Sequence, residues 1–187
     1  NFLGRSTRRH LRSSFRQIER SQTYAITVLS ADNNDIQCEA LLDVWQQRWG
    51  TKRGHQLDHY RKIFKSCFED DCLWISILWD QNKPIAGLAG FIDHPRRIFA
   101  AFISGHLDGY SKLKPGKALF GHNLKYAIDN GLKIYDFLRG KEGHKYLFGA
   151  KERFSSSVII TRKTFKNTLL NYGEKVWSHI CTNGHTN

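Results

Sequence analysis

The 187-residue chain has no methionine, not even at position 1, so its native start is missing or it is a piece of a longer protein; the second is the working expectation. Its four cysteines, Cys38, Cys67, Cys72 and Cys181, form no Cys-x-x-Cys pair and no regular framework. That excludes a zinc ribbon and a secreted disulfide scaffold and leaves reduced, mostly buried thiols. No apolar stretch approaches the roughly 18 residues that a bilayer span needs, and the first twenty residues are Arg-rich rather than charged-then-apolar. A soluble, cytoplasmic protein without a membrane span is therefore expected. Internal repeats, low-complexity tracts, and helix-turn-helix or zinc-finger patterns are also missing, which ranks a sequence-specific DNA binder last among the readings.

The chain is rich in aromatic residues, with 5 Trp, 7 Tyr and 12 Phe, and 40% of it is hydrophobic, enough apolar area to offset the ordering entropy of one domain. The net charge of +12 is unevenly placed. Residues 1–20 carry +5, residues 111–166 carry +9, and the remainder nets −2. Two confined basic blocks fit a phosphorylated cofactor as well as they fit a nucleic acid.

Arg5 to Arg20 reads as a basic amphipathic helix, with Leu11, Phe15 and Ile18 spaced at +4 and +7. Tyr24–Ser30 is a first strand. The Ala31–Asp35 cluster caps a helix with Ile36, Ala40, Leu41, Val44 and Trp45 on its apolar face, ending near Gly50. A second helix, Leu57 to Phe68, follows. Leu73–Trp79, Pro84–Ile92 and Ile98–Ser104 then read as an antiparallel meander. Small residues at Ala86, Gly87, Ala89 and Gly90 leave room for another backbone or a ligand. A loop from Gly105 runs into Pro115-Gly116 and a helix from Lys117 to Asp129, which Asn130-Gly131 closes. A short strand Leu132–Leu138, a glycine-punctuated loop, a strand near Ser157–Arg162 and a helix Phe165–His179 complete the order. The fold class is α/β (α+β), a mostly antiparallel sheet covered by helices. The expected division is a basic lead helix or linker at 1–22, one domain at 23–181 and a frayed tail at 182–187.

Three features coincide after residue 110: Pro115-Gly116, the helix directly behind it, and the block Asp136-Phe137-Leu138-Arg139-Gly140 followed by His144-Lys145. Together they resemble the GNAT acyltransferase superfamily, in the branch of FemAB-like proteins and the acetyltransferases linked to cellulose and exopolysaccharide synthesis. The lead helix with Arg8, Arg9 and Arg12, and the helix ending in Arg48-Trp49, also fit, so the resemblance spans roughly residues 5 to 165. The chain departs from the family pattern in two places. His144 stands where the family has an aromatic before the lysine, with Tyr146 one step later. The usual glycine-rich loop is reduced to Gly116 followed by Lys117 and Ala118. Proteins of this branch are often built from two GNAT-like halves, so an upstream GNAT-like domain or a homodimer is implied as a partner.

The resemblance implies a GNAT-like fold and acetyl-CoA or another acyl-CoA as co-substrate. The cofactor's pyrophosphate would take the helix N-terminus at Gly116, Lys117 and Ala118, with Lys112 and Lys114 for the 3′-phosphate. The thioester would lie between Ile98–Ser104 and Leu132–Leu138. Acyl transfer needs a neutral amine, donors for the carbonyl oxygen and a proton for the thiolate. Asp136, His106 and His144 are the alternatives for the base, Tyr110 or Tyr146 for protonating the thiolate, and Lys145 completes the catalytic set. Arg139, Gly140, Glu142 and Tyr146 form the substrate loop. The acceptor is a small amine or an amino sugar; charged tRNA, or no chemistry at all in this half, are the competing readings.

The remaining candidates are plainer. His55 and His59 lack the Glu that a zincin needs, Glu69-Asp70-Asp71 reads as a solvated turn, and no metal is expected. Cys67 and Cys72 read as core thiols. Trp45, Trp74 and Trp79 fit the core, and Trp49, at a helix end, could stack on a carbohydrate.

Overall fold

The first helix, α1, runs Arg5–Arg20 as its spacing predicts, with Leu11 buried and Phe15 and Ile18 half-buried. The computed structural model describes residues 3–50 and 54–154. The chain divides into two compact units, 1–151 and 152–187. Every element below belongs to the first; of the second only residues 152–154 are described, without regular structure. The expected strand near 157–162, the helix 165–179, the tail and Cys181 lie outside the described residues.

Strand β1 (Tyr24–Val28) is followed by helices α2 (Asn34–Trp49) and α3 (Gly54–Glu69). Strands β2 (Leu73–Asp80), β3 (Lys83–Asp93) and β4 (Ile98–His106) form the expected meander. Helix α4 (Pro115–Asp129), strand β5 (Ile134–Asp136) and a short helix α5 (Gly143–Leu147) follow. The sheet has the order β1-β2-β3-β4-β5; the first three pairings are antiparallel and β4–β5 is parallel. The expected mixed, mostly antiparallel sheet between helices is what forms. Among the described residues no helix is long and apolar enough to cross a membrane.

Alternation along the strands divides the core in two. Ile75 and Ile77 pack with Leu41, Leu42 and Phe64 of α2 and α3, whereas Leu88, Ile92 and Phe99 pack with Ala118 and Leu119 of α4. Trp74, expected in the core, stacks on Tyr126 of α4 at 3.7 Å between ring centroids. Its indole N–H donates to Asn123, and Asn123 donates to Ser76, each at 2.9 Å, so these three polar side chains under α4 are paired with one another.

Two expectations need correction. Ile36 is 63% exposed, and Gln37 is buried in its place with its amide on the Thr27 hydroxyl. The face toward the sheet is Gln37, Leu41, Val44 and Trp45, an i, i+4, i+7, i+8 row that excludes position 36. Strand β5 is shorter than predicted because its ladder ends at the Ala100–Asp136 pair, and Leu138 takes φ 55°.

The small residues of β3 make room for a helix. A Cβ on Gly87 would lie 3.3 Å from Leu41 Cα, and one on Gly105, at the end of β4, 3.0 Å from Trp45 Cα and 3.1 Å from Val44 O. Backbone against backbone cannot yield as a side chain end can. Gly105→Val is expected to cost about 1–3 kcal/mol of overpacking. Urea denaturation would measure it, and an unchanged midpoint would show that α2 is free to move away.

Candidate active site

Strand β4 pairs with β3 along its length but with β5 only at Ile98, Phe99 and Ala100. Beyond Ala100 the two parallel strands part, and among the described residues no strand lies beside that backbone edge of β4. A cavity of about 310 Å³ opens there. One wall is Ala101 to Ser104 of β4; the facing wall is Phe137 to Arg139 with Glu142, His144 and Lys145. Trp45 and Trp49 of α2 and Tyr60 of α3 stand along it, with Phe120 of α4 across. The β3–β4 register shifts between Ala89 and Gly90, so Phe102 has no Cα partner in β3; this bulge lies on the cavity wall. Phe102 meets Tyr60 edge-on at 5.7 Å.

The loop wall is organised by one buried ammonium. Lys145, its side chain 10% exposed, donates to Arg139 O at 2.6 Å, with Leu138 O and Gly140 O at 3.4 Å, and pairs with Glu142 at 2.8 Å. Its hydrogen bond holds the Glu142 carboxyl below the usual range. Lys145, expected among the catalytic groups, is thus committed to the loop; three carbonyls and a carboxylate already take its protons. Asp136 is similarly engaged: its carboxylate accepts the Leu138 N–H at 2.7 Å, and the exposed side chain is not part of the cavity wall.

His144 is the titratable expected base that does face the cavity. Its half-buried ring lies 5.2 Å from that of Phe120. Burial lowers its pKa, Glu142 opposes the shift, and Lys145, His106 and Lys117 add to it, so the neutral imidazole prevails at pH 7. His106 sits behind it. Its ring occupies the space a side chain on Gly116 would need, 3.0 Å from Nδ1, and burial followed by Arg48 lowers its pKa. Gly116 thus admits an imidazole to the first turn of α4.

At that turn Pro115 is the first helical residue and Lys114 the N-cap, in the left-handed region at φ 53°. No side chain caps the turn and no acidic residue lies in it, which leaves the N–H groups of Gly116 and Lys117 directed out of the helix. Ala118 differs from expectation: its side chain is buried and its N–H donates to Lys114 O at 3.0 Å. Lys112 is exposed, and its carbonyl accepts from Gln17 of α1.

Neither expected tyrosine lines the cavity. The Tyr110 hydroxyl donates to Asp80 at the end of β2, 3.2 Å away, and Tyr146 is exposed. The structure therefore brings together His144, Lys145, Glu142 and Arg139 at the cavity, and Lys114, Gly116 and Lys117 at α4, with His106 beside Gly116. Sequence reasoning missed Tyr60, Phe102, Phe120 and Phe137. Trp49, noted for stacking, is 55% exposed on the cavity rim, its indole N–H on Ser104 O at 3.2 Å and the Arg48 guanidinium 5.8 Å from its ring. Among the described residues no cluster of His, Cys, Asp or Glu could hold a metal.

The comparisons show the family and the fold. The family described as "Acetyltransferase (GNAT) domain" matches residues 5–146. A GCN5-related N-acetyltransferase from Ralstonia eutropha JMP134 is similar in fold, with a TM-score of 0.55 at 14% identity over 73% of this chain and 98% of that one. The aminoglycoside acetyltransferase AAC(6')-Iy, solved with a bisubstrate analogue of CoA, gives 0.53 at 15% identity over 75% and 98%. An aminoglycoside acetyltransferase from an uncultured soil metagenomic sample, solved with sisomicin, gives 0.52 at 10% over 75% and 97%. No curated protein matches. The family match, over most of the chain and on a mixed sheet whose parallel strands part, shows that this chain belongs to the GNAT acetyltransferase domain family, the acyl-CoA-dependent acetyltransferases.

Proposed function

We propose that the chain transfers an acetyl or other short acyl group from acyl-CoA to the amine of a small, sugar-like acceptor, as in the branch of the family associated with exopolysaccharide and cell-envelope synthesis. One observation supports the reading: the cavity at the parting of β4 and β5 is lined both by Phe120, one turn into α4 from its uncapped end, and by Trp45 and Trp49 of α2. Bound acyl-CoA supplies an activated thioester carbonyl. Gly116 and Lys117 offer their N–H groups to its pyrophosphate, and Lys114 and Lys117 add full positive charge. From Ala101 to Ile103 the edge of β4, without a strand beside it among the described residues, offers backbone groups to the amide-rich arm and to the carbonyl oxygen.

His144 takes one proton from the acceptor ammonium, the freed amine attacks the thioester carbonyl, the nitrogen–carbon bond forms as the carbon–sulfur bond breaks, and the second proton lost by the nitrogen passes to the departing thiolate. Trp49 presents an exposed indole face at the rim, the surface on which a sugar ring stacks. Glu142 and Arg139 beside it provide polar contacts. Lys145 gives the His-Lys part of the sequence motif a physical task, fixing the loop that carries those contacts.

Calorimetry with CoA and acetyl-CoA, followed by thiol-release assays on amino sugars, amino acids and short peptides, tests the reading. Salt-sensitive binding and turnover with amino sugars are expected. Absence of heat at any salt concentration would refute the cofactor seat, and turnover confined to peptides would refute the acceptor class.

A second reading, aminoacyl transfer from charged tRNA, draws on α1. Its six arginines, five of them exposed, form no ion pair among the described residues, and a phosphate backbone could follow them. Stabilisation by bulk tRNA and not by CoA esters would favour it.

A further inference from the structure

Helix α1 stands before the first strand yet is fastened to the α4 entry. The Ser14 hydroxyl donates to Leu113 O at 2.7 Å in a buried contact, and the Gln17 amide reaches Lys112 O at 3.4 Å. One turn further back, Leu11 and Phe15 close over Gly121, where a Cβ would lie 2.6 Å from Leu11 Cδ2. Gly121 is one helical turn beyond Lys117 on the same face of α4. His10 precedes Leu11 and lies one turn before Ser14; with Ser14 on Leu113 and Leu11 on Gly121, its half-buried ring is on the face of α1 turned to the start of α4, in the field of Lys114 and Lys117. Three potential cations from three segments therefore converge beside the uncapped turn of α4. No carboxylate among the described residues pairs with Arg9, Lys114 or Lys117, and the first turn of α4 holds none. Like charges are not gathered around a histidine for the stability of the free protein.

We propose that α1 completes the cofactor site, His10 joining Lys114 and Lys117 as a ligand of a phosphate group of acyl-CoA. This rests on the cofactor seat argued above and adds to it a residue that precedes the sheet altogether. The groups facing His10 are Arg9 on its own helix, Lys114 at the N-cap and Lys117 on α4. Partial burial and these three cations favour its neutral form in the free protein. A phosphate among them reverses the local potential, so His10 takes up a proton as the cofactor binds. The bond then becomes a charge-assisted one, present at pH 6 and weakened at pH 8.

Titration calorimetry on the full chain at pH 6.0 and 8.0, in two buffers of different ionisation enthalpy, tests this with CoA and with dephospho-CoA, which lacks the 3′-phosphate. His10→Gln is expected to weaken CoA binding roughly tenfold at pH 6.0, with a much smaller effect at pH 8.0, and to remove about one proton of uptake. His10→Lys should restore the affinity and remain flat with pH. A His10→Gln penalty lost with dephospho-CoA assigns His10 to the 3′-phosphate; a penalty retained assigns it to the pyrophosphate. Equal affinity and equal proton uptake in wild type and His10→Gln, with unchanged melting temperatures, would overturn the proposal while leaving the cofactor seat intact. Absence of CoA binding by the wild type would instead overturn the seat.

Discussion

His144→Gln is expected to lower kcat by roughly a hundredfold to ten-thousandfold, the range that a positioned general base contributes. KM for the acyl-CoA should change little, because the imidazole lines the cavity between β4 and the Phe137–Lys145 loop and the phosphate seat proposed at α4 is made by Lys114, Gly116 and Lys117. The sign of the pH dependence follows from the lowered pKa. Burial holds His144 below the ordinary histidine value of about 6.5, so the neutral, proton-accepting form is already dominant at pH 7. For wild type, kcat/KM should rise through the acid range and reach its plateau before pH 7. In His144→Gln that acid limb should disappear, leaving a slow, pH-flat rate.

The same shift has a consequence for stability. His10, His106, His122 and His144 all have lowered values, so each binds its proton more readily in the unfolded chain. Stability is lost as pH falls through and below about 6.5, and His144→Gln should soften that loss. If the variant keeps the acid limb, the base is another group, and Asp136 and His106 return as the alternatives.

Much of the architecture was legible because the segments have strong, distinct periods. The 3.6-residue spacing of Leu11, Phe15 and Ile18 and the β-branched density of Leu73–Trp79 leave little choice, and Pro115-Gly116 and Asn130-Gly131 mark both ends of α4. The site was legible at its α4 end, where residues adjacent in sequence act together. The cavity was less so. Tyr60, Phe102 and Phe120 come from α3, β4 and α4, and each reads locally as a core aromatic. What turns them toward one space is the parting of two strands and a one-residue bulge, and neither has a signature in a run of β-formers. Asp136 shows the opposite failure. A carboxylate at a strand end looks like a base, but an Asx turn onto Leu138 N–H, two residues on, is the cheaper use of the same group.

Lys145→Met is expected to cost about 2–3 kcal/mol and to collapse the facing wall of the cavity. Breaking a fully buried ion pair costs about 3–5 kcal/mol, because the remaining partner is left without compensation. Here the cost falls below that range. Glu142 is half exposed and can turn to water, whereas Arg139 O loses its 2.6 Å donor beneath the loop. For a unit of about 150 residues this lowers Tm by roughly 4–12 °C. The effect on turnover should exceed the effect on stability, since Leu138, Arg139, Glu142 and His144 all depend on the position of that loop.

Glu142→Gln separates the two contributions. It removes the ion pair and keeps the three carbonyl bonds, so it should cost less than half as much, and the double variant should be milder than the sum. The Glu142 carboxyl is held below its ordinary range, so the pair stabilises the fold above that range and its contribution is lost as pH falls through the lowered value. Wild type should therefore lose stability on acidification below about pH 4.5 more steeply than Lys145→Met does. A Tm within 2 °C of wild type together with full activity would mean that the Asx turn at Asp136 and the backbone of α5 hold the loop unaided. Lys145 would then return to the list of groups available for the reaction.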